Sequence, residues 1–296
     1  MLAAVALSGC GGSGSVKGAD ALVFVSTRDG AYELYASSAD GSHQHRLTKD
    51  RGDASTPNGL GYQLDPAWAP DGSRIAFSSS RDGQSHLFVV DAAGKKTNRL
   101  TLGGEDRHPT WSPDGKRLAF TRGSPGWIEI VNSDGSGAHR LTSGTVEQGD
   151  SAWSPDGHWI AYDRRTPGGP IRELWLVHPD GSGNHQLTAL QASTTAPTWS
   201  PDSTRIAFSS NARGGHFAIY SIGASGINLR LVSASQTDEI QPAWSPDGKL
   251  IAFSRDGAIV VAPAGTGSEK TLTDPKDNDS SPTWNPLQAP VKAKRY

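Results

Sequence analysis

One unit of 40 to 46 residues is repeated along almost the whole chain, and this repeat constrains the fold more than any other feature. Each copy carries the pattern x-Pro-x-Trp-Ser-Pro-Asp-Gly-x-x-Ile-Ala-Phe or a close variant. Five longer copies begin at Asp65, His108, Asp150, Ala196 and Gln241, and a short sixth copy, SPTWNP, begins at Ser281. The motif tryptophans lie 43, 42, 46, 45 and 40 residues apart. This period, built from short strands, is typical of one β-propeller blade.

The repeat predicts an all-β, six-bladed β-propeller over residues 19–287. Each unit has four strand signals: the Pro-x-Trp segment, Ile-Ala-Phe, an apolar run, and a segment that ends in Leu-Thr. The first unit, Ala21–Thr48, lacks the first of these strands, and the last unit retains only that strand, at Pro282–Trp284. We expect these parts to form one composite blade of three N-terminal strands and one C-terminal strand, because closing the ring removes exposed sheet edges.

The repeated tryptophans and turns have structural interpretations. An aromatic residue at the same place in every blade is what packing between blades requires, so we expect the six motif tryptophans to be buried. In each Ser-Pro-Asp-Gly turn, glycine accepts the positive φ that closes the hairpin. Ser203 replaces this glycine in one copy, which predicts a slightly strained turn.

Composition argues against several functions. The formal net charge is −2, so no basic excess predicts nucleic-acid binding. The sequence has no Gly-x-Ser-x-Gly, no His-Glu-x-x-His and no zinc-type Cys/His spacing, and these are the patterns typical of hydrolases and zinc sites. We therefore expect a monomeric, non-catalytic protein without a cofactor or metal.

The N-terminal residues indicate a membrane anchor. Leu7-Ser8-Gly9-Cys10 fits the lipobox of bacterial lipoproteins, in which the cysteine is lipidated, and Cys10 is the one cysteine of the sequence. Residues 11–15 are glycine and serine, a composition typical of a flexible tether. We expect residues 1–18 to be a lipoprotein signal remnant and tether on the extracytoplasmic side of a bacterial membrane. Residues 288–296 are basic, and we expect them to be disordered.

The repeated motif, with its downstream Asp-Gly and Leu-Thr, resembles the propeller repeat of the TolB family over about residues 20–286. Related repeats occur in the propellers of prolyl-oligopeptidase-like and tricorn-type peptidases. The resemblance implies a propeller that recognises a protein or peptide partner in the cell envelope. TolB carries an α/β domain ahead of its propeller, and we expect that domain to be absent here, because about ten residues separate Cys10 from the first strand.

Candidate binding residues cluster where the fourth strand of one blade leads into the first strand of the next. In propellers these connections share a face with those between the second and third strands, and the first strand lines the channel. The predicted channel-face residues are Asp65, Arg107, His108, Asp150, Glu239, Gln241 and Asp279. The second-to-third-strand connections carry Arg28, Arg81, Arg122, Arg164, Arg165, Arg213 and Arg255. Ion pairs between blades and a ligand-gripping channel mouth are both open interpretations.

An enzymatic alternative also remains open. A carbohydrate lyase or lactonase of propeller type would need a metal or acid/base site, and this hypothesis predicts that His108, Asp65 and Asp150 converge near the channel axis. The histidines near the fourth strands, His43, His45, His139 and His185, are expected at the surface. The first long connection, residues 49–64, is either a specificity loop or an insertion without a role.

Overall fold

A computed structural model describes residues 20–49 and 63–288, except for the side chain of Gln63. The predicted lipidation site Cys10, most of the long connection 49–64 and the tail 289–296 lie outside these described residues. In the described part of the chain, no helix combines the length and the apolar character needed to cross a bilayer.

The described residues form six four-stranded antiparallel sheets. Blade 1 contains β4 (Gln63–Trp68), β5 (Arg74–Ser79), β6 (His86–Asp91) and β7 (Thr97–Arg99). Blade 2 contains β8 (Asp106–Trp111), β9 (Arg117–Arg122), β10 (Trp127–Asn132) and β11 (His139–Arg140). Blade 3 contains β12 (Gln148–Trp153), β13 (Ile160–Arg165), β14 (Arg172–Val177) and β15 (His185–Gln186).

The remaining blades complete the ring. Blade 4 contains β16 (Thr194–Trp199), β17 (Arg205–Ser210), β18 (Ala218–Gly223) and β19 (Arg230–Ser233). Blade 5 contains β20 (Glu239–Trp244), β21 (Leu250–Arg255), β22 (Ala258–Pro263) and β23 (Lys270–Thr271), followed by a short 3-10 helix at Pro275–Asp277. Blade 6 combines β24 (Ser280–Trp284) with β1 (Leu22–Ser26), β2 (Glu33–Ser37) and β3 (His45–Arg46).

The structure confirms the predicted composite blade. Strand β24 pairs antiparallel with β1, with Leu22 opposite Trp284 and Val23 opposite Thr283. The two ends of the described chain therefore complete one sheet, and blade 6 is held by backbone hydrogen bonds between residues more than 250 positions apart.

The hydrophobic core is divided among the six contacts between neighbouring blades, as the sequence predicts. At the contact between blades 1 and 2, for example, Leu87 of blade 1 packs with Trp111 and Phe120 of blade 2. Five motif tryptophans are buried, and Trp244 of blade 5 is the half-buried exception. The aromatic residue of each unit thus fills the space between two sheets.

The other motif residues stabilise strand ends and turns. In five blades the threonine of the Leu-Thr pair accepts a hydrogen bond from a backbone N–H of the third strand, as Thr101 does from Leu87 at 3.0 Å. In the Ser-Pro-Asp-Gly turns, the serine hydroxyl donates to the aspartate, as Ser154 does to Asp156 at 2.6 Å. Ser203 has a φ of 58°, which confirms the predicted left-handed turn residue.

Candidate functional site in the central channel

A β-bulge recurs at one position of every innermost strand and forms a ring around the channel. The residue before Pro-x-Trp, or before Ser-x-Trp in blade 3, has a φ between 44° and 57°. Within each blade, the ladder between the first two strands shifts register at this point. Bulges redirect side chains, and here they define the six channel-ring residues Asp65, His108, Asp150, Ala196, Gln241 and Ser281.

The channel ring borders a central cavity of about 410 Å³. All six ring residues line it, together with the small residues that follow them in the first strands, such as Ala67 and Thr110. Ile240, which precedes a ring residue, also lines the cavity and is 37% exposed. The space is large enough for one or two side chains of a partner rather than for a folded segment.

Neighbouring blades are linked through the ring. The backbone N–H of Ala196 donates to Asp150 Oδ2 at 3.1 Å, and that of Ser281 donates to Gln241 Oε1 at 3.1 Å. At Asp65, burial raises the pKa of the carboxyl group overall, although the backbone N–H of His108 in the next blade helps to lower it. In each of the two hydrogen bonds, the backbone N–H of a ring residue with positive φ donates to the side chain of the ring residue in the preceding blade. The bonds therefore stabilise the bulges that they connect.

His108 lies between two carboxylates. Its Nε2 atom is 3.0 Å from Asp150 Oδ1 and 3.4 Å from Asp65 Oδ2. The three side chains are 34%, 22% and 15% exposed for His108, Asp150 and Asp65. This convergence, which the enzymatic hypothesis predicted, is present in the structure.

Asp163, on the neighbouring strand β13, interacts with Asp150. The Asp163 and Asp150 carboxyl groups lie side by side and shift each other's pKa, while Asp163 Oδ1 accepts a hydrogen bond from Arg172 Nη1. Arg172 Nη2 also lies 2.5 Å from Glu147 Oε1, with which it forms an ion pair. Polar groups therefore extend from the channel ring through blade 3 to the surface.

The pKa shifts follow from burial and from this crowding of carboxyl groups. Burial and the nearby Asp150 charge raise the pKa of Asp163 well above its usual 3.8. Burial also raises the pKa of Asp65. For His108, burial alone would lower the pKa, but the charges of Asp150 and Asp65 outweigh it and raise the pKa. For Asp150, burial is outweighed by His108 and by hydrogen bonds, so its pKa is lowered. The site can thus keep His108 charged beside an ionised Asp150.

Several buried polar atoms at the ring have no hydrogen-bond partner among the described residues. They are His108 Nδ1, Ser151 Oγ and Ser281 Oγ. Because buried polar groups normally form hydrogen bonds, we expect a polar ligand group or an ordered water molecule to supply the missing partners.

The structure brings together four of the seven predicted binding residues. Asp65, His108, Asp150 and Gln241 line one cavity. Arg107 lies outside it, where its Nη2 is 3.4 Å from Glu105 of the same blade. Glu239 and Asp279 also lie outside the cavity.

Buried ion pairs explain the position of these two carboxylates. Glu239 and Asp279 each stand two residues before a ring residue, and their side chains are fully buried. Arg255 Nη2 lies 2.5 Å from Glu239 Oε1, and Arg28 Nη2 lies 2.9 Å from Asp279 Oδ2. Placing Glu239 and Asp279 at the channel surface was therefore wrong, because these carboxylates are already bound.

The arginine-carboxylate pairs also lie within blades rather than between them. Arg28–Asp279, Arg122–Asp106 and Arg255–Glu239 each join two residues of the same blade. The interpretation as inter-blade ion pairs is wrong for these three. Each arginine lies at or just after the end of the second strand of a blade, and its acidic partner lies at or just before the start of the first strand of the same blade. The four histidines expected at the surface are exposed, as predicted.

Sequence reasoning missed Ala196 and Ser281 of the ring and Asp163 behind it. A signal for the ring was available, because the residue before Pro-x-Trp varies while its neighbours repeat. A signal for Asp163 was available too. It comes directly after the aromatic residue of the second strand, and the same repeat position holds a serine in three other blades, at Ser78, Ser209 and Ser254.

The chemistry within reach of this site is hydrogen bonding, charge recognition and proton transfer at His108. Across residues 20–49 and 63–288, no group of three or more His, Cys, Asp or Glu side chains is arranged to hold a metal ion.

Comparisons with known sequences identify the repeat. A family model described as the TolB beta propeller domain matches residues 15–193 and 168–291. A protein TolB homolog of Chlorobium chlorochromatii (strain CaD3) is 34% identical over 83 residues, which cover 28% of this chain and 17% of the relative. The Tol-Pal system protein TolB of Desulfosudis oleivorans (strain DSM 6200 / JCM 39069 / Hxd3) is 33% identical over 69 residues, 23% of this chain and 14% of the relative. The matched segments thus span about a sixth of these curated relatives.

Solved structures share the fold at low sequence identity. TolB from Acinetobacter baumannii superposes with a TM-score of 0.71 at 18% identity, covering 90% of this chain and 66% of that one. An oligogalacturonate lyase in complex with manganese superposes with a TM-score of 0.58 at 18% identity, covering 84% of this chain and 73% of the lyase. At such identities the likeness establishes the propeller architecture alone.

Proposed function

Because the chain belongs to the TolB β-propeller domain family, we propose that it is a non-catalytic recognition module that binds a protein or peptide of the cell envelope at its central channel. Fold alone does not assign function, so the proposal depends on the channel ring. We further propose that the protein is a monomer, anchored through Cys10 on the extracytoplasmic side of a bacterial membrane.

The observation that carries this proposal is the asymmetry of the ring. The framework of each repeat is nearly constant, yet the six bulges present Asp, His, Asp, Ala, Gln and Ser to one cavity. A ring with a purely structural role would be satisfied by the same residue in every blade. Side chains that differ around an axis can instead fix the orientation of an asymmetric ligand.

The edge of the cavity favours a protein partner. Ile240 is an exposed aliphatic side chain at a cavity lined by prolines and small residues, with polar groups converging below it. An apolar contact around a few polar anchors is typical of protein recognition sites. The buried hydroxyl and imidazole atoms without partners would accept the polar end of an inserted side chain.

A capture experiment tests the proposal. The full chain is compared with Ile240→Arg, which adds charge at the cavity, and with Leu102→Arg as a matched control. Leu102 is 87% exposed and does not line the cavity. We expect one envelope protein to be crosslinked and captured by the wild type and by Leu102→Arg, and lost with Ile240→Arg. Equal capture by all three would rule out channel recognition.

A second candidate is an enzyme of the carbohydrate lyase or lactonase type, favoured by the contact of His108 with Asp150 and Asp65. A histidine held between carboxylates can serve as a general base or acid. Incubation with acidic oligosaccharides and with lactones tests this hypothesis. Turnover that disappears in His108→Gln would support catalysis, and no turnover of either class by the wild type would leave the recognition module as the better account.

A further inference from the structure

The charged side chains that line the central cavity are unequal in sign. Asp65 and Asp150 supply two carboxylates, and His108 is the one lining side chain that can carry a positive charge. In the described part of the chain, no lysine or arginine lines this cavity. When all three groups are ionised, two negative charges face one positive charge, so one negative charge is left unbalanced.

The arginines near the ring have carboxylates of their own. Arg107 lies outside the cavity, with its Nη2 atom 3.4 Å from Glu105 Oε2. Arg172 contacts Asp163, and its Nη2 atom lies 2.5 Å from Glu147 Oε1. Because each arginine is paired with a glutamate that does not line the cavity, the excess negative charge at the ring persists.

Three buried polar atoms of cavity-lining residues have no partner among residues 20–49 and 63–288. They are Ser151 Oγ, Ser281 Oγ and His108 Nδ1. Ser151 and Ser281 are 8% and 7% exposed. A hydroxyl oxygen can accept a hydrogen bond, and so can Nδ1 of a neutral imidazole whose Nε2–H donates to Asp150. The cavity thus combines excess negative charge with hydrogen-bond acceptors that are free to bind a donor.

The size and the walls of the cavity favour an ammonium group on a narrow chain. The cavity has a volume of about 410 Å³, and most of its walls are prolines, alanines and threonines, which can pack against methylene groups. A guanidinium group is often held by stacking on an aromatic ring, but no phenylalanine, tyrosine or tryptophan lines the cavity among the described residues. A carboxylate would be repelled by Asp65 and Asp150.

We propose that the central cavity binds a lysine side chain of the partner protein. This role rests on the proposed recognition function and specifies the chemical class of the group that enters the channel. The ammonium group would balance the carboxylates and donate to the free hydroxyl and imidazole acceptors, while the methylene groups pack against the prolines and small residues. A proton on His108 and an inserted ammonium group balance the same carboxylates, so each disfavours the other.

Binding of a lysine side chain to the full chain is measured by NMR. The probe is Nα-acetyl-lysine N-methylamide, and the reporter is the imidazole signal of His108 in histidine-labelled protein, assigned from the spectrum of His108→Gln. The norleucine counterpart lacks the ammonium group, and the glutamate counterpart reverses the charge. We expect a saturable shift with the lysine probe and at least about tenfold weaker binding of both counterparts. No shift with the lysine probe, or equal binding of the norleucine probe, would overturn the proposal.

Two variants and a control locate the binding. Asp65→Asn removes one carboxylate charge at a position with a φ of 55°, which asparagine tolerates, and should weaken the lysine probe at least about tenfold. Ser281→Ala removes a hydroxyl without a partner among the described residues, and Ala196 already has the same backbone conformation in the ring. This variant should weaken the probe about tenfold and leave the thermal midpoint unchanged.

The control, Glu105→Gln, removes a negative charge from a side chain that is 49% exposed and does not line the cavity. It should leave the affinity unchanged. Equal weakening in Asp65→Asn, Ser281→Ala and Glu105→Gln, or unchanged affinity in all three, would overturn the assignment of the lysine to this cavity.

Competition between the probe and the His108 proton gives an independent readout. Asp150, Asp65, Asp163 and Arg107 are the charged groups that act on His108, and all four are present in both titrations. A saturating lysine probe should lower the pH midpoint of the His108 signal, because a coupling between two bound groups acts in both directions. An unchanged midpoint would contradict the position of the ammonium group beside His108.

The capture experiment with Ile240→Arg separates this inference from the proposed function. Capture of an envelope protein that depends on Ile240, together with no binding of the lysine probe, would refute the lysine site and leave channel recognition standing. Lysine binding that is sensitive to Asp65→Asn and Ser281→Ala, without any Ile240-dependent capture, would support the cation site and count against a protein partner.

Discussion

Trp68 and Trp111 form a matched pair that tests the packing between blades. They hold the same position in blades 1 and 2 and are 7% and 6% exposed. The indole N–H of Trp111 donates to Ala67 O at 3.1 Å, whereas that of Trp68 is buried without a partner among the described residues. Replacing each tryptophan by phenylalanine removes a similar volume and a very different polar interaction.

The expected difference follows mainly from the hydrogen bond, and Arg74, which lies over the Trp111 ring at 4.8 Å, adds to it in the same direction. Trp111→Phe loses a bond with a net value of about 1 kcal/mol, and Trp68→Phe removes an unsatisfied buried donor that costs about 1–3 kcal/mol. The packing of the two rings is otherwise similar, and phenylalanine also weakens the cation–π contact with Arg74. Trp111→Phe should therefore be less stable than Trp68→Phe by about 2–4 kcal/mol.

Urea unfolding followed by far-ultraviolet circular dichroism measures this difference, provided that the two variants have the same denaturant dependence. Equal stabilities, or a less stable Trp68→Phe, would refute the assignment of the Trp111 hydrogen bond as a link between blades.

Three further predictions concern single positions. The raised pKa of Asp163 means that its contribution to stability is complete below the unfolded pKa and is lost as pH rises through the folded pKa. Asp163→Asn should therefore gain stability relative to the wild type with rising pH, by at most about 1.4 kcal/mol per pH unit, in urea unfolding at a series of pH values. Ser203→Gly should relieve the left-handed serine by about 1 kcal/mol, but it also removes the hydroxyl that accepts from Asp156 N–H at 3.0 Å, a bond worth about 1 kcal/mol. The thermal midpoint should therefore change little, and a large shift in either direction would contradict this. Cys10→Ser should move the protein from the membrane to the soluble fraction on ultracentrifugation, and continued sedimentation with membranes would refute the proposed anchor.

The repeat made most of the fold predictable. Spacing alone located the six blades. The missing strand of the first unit, together with the lone strand at Trp284, predicted the composite blade, and the pairing of β24 with β1 confirms it. Such inferences succeed because each blade is a local unit and its neighbours repeat the same packing.

The channel site was predictable only in part. Asp65, His108, Asp150 and Gln241 were found because each begins a copy of the repeated motif, in the strand predicted to lie nearest the axis. The bulge itself was not predicted, because a residue before proline ordinarily adopts an extended backbone, whereas these residues have a positive φ.

The partners of buried charges were also beyond sequence reasoning. Whether Glu239 faces the channel or Arg255 depends on strand register and on the space behind the ring. Asp163 and Asp150 interact because they lie on two paired strands whose ladder is interrupted by the bulge. Composition and spacing identify such residues as polar, but they do not give the distances that decide their partners.

Site-specific photocrosslinking in living cells tests the proposed channel recognition most directly. A photoreactive phenylalanine is placed at Ile240, at the cavity, or at Lys249, whose side chain is 73% exposed and which lies in the turn at the other end of the same blade. Channel recognition predicts a discrete crosslinked envelope protein from Ile240 that is absent from Lys249. Crosslinks to the same proteins from both positions, or none from Ile240, would contradict it.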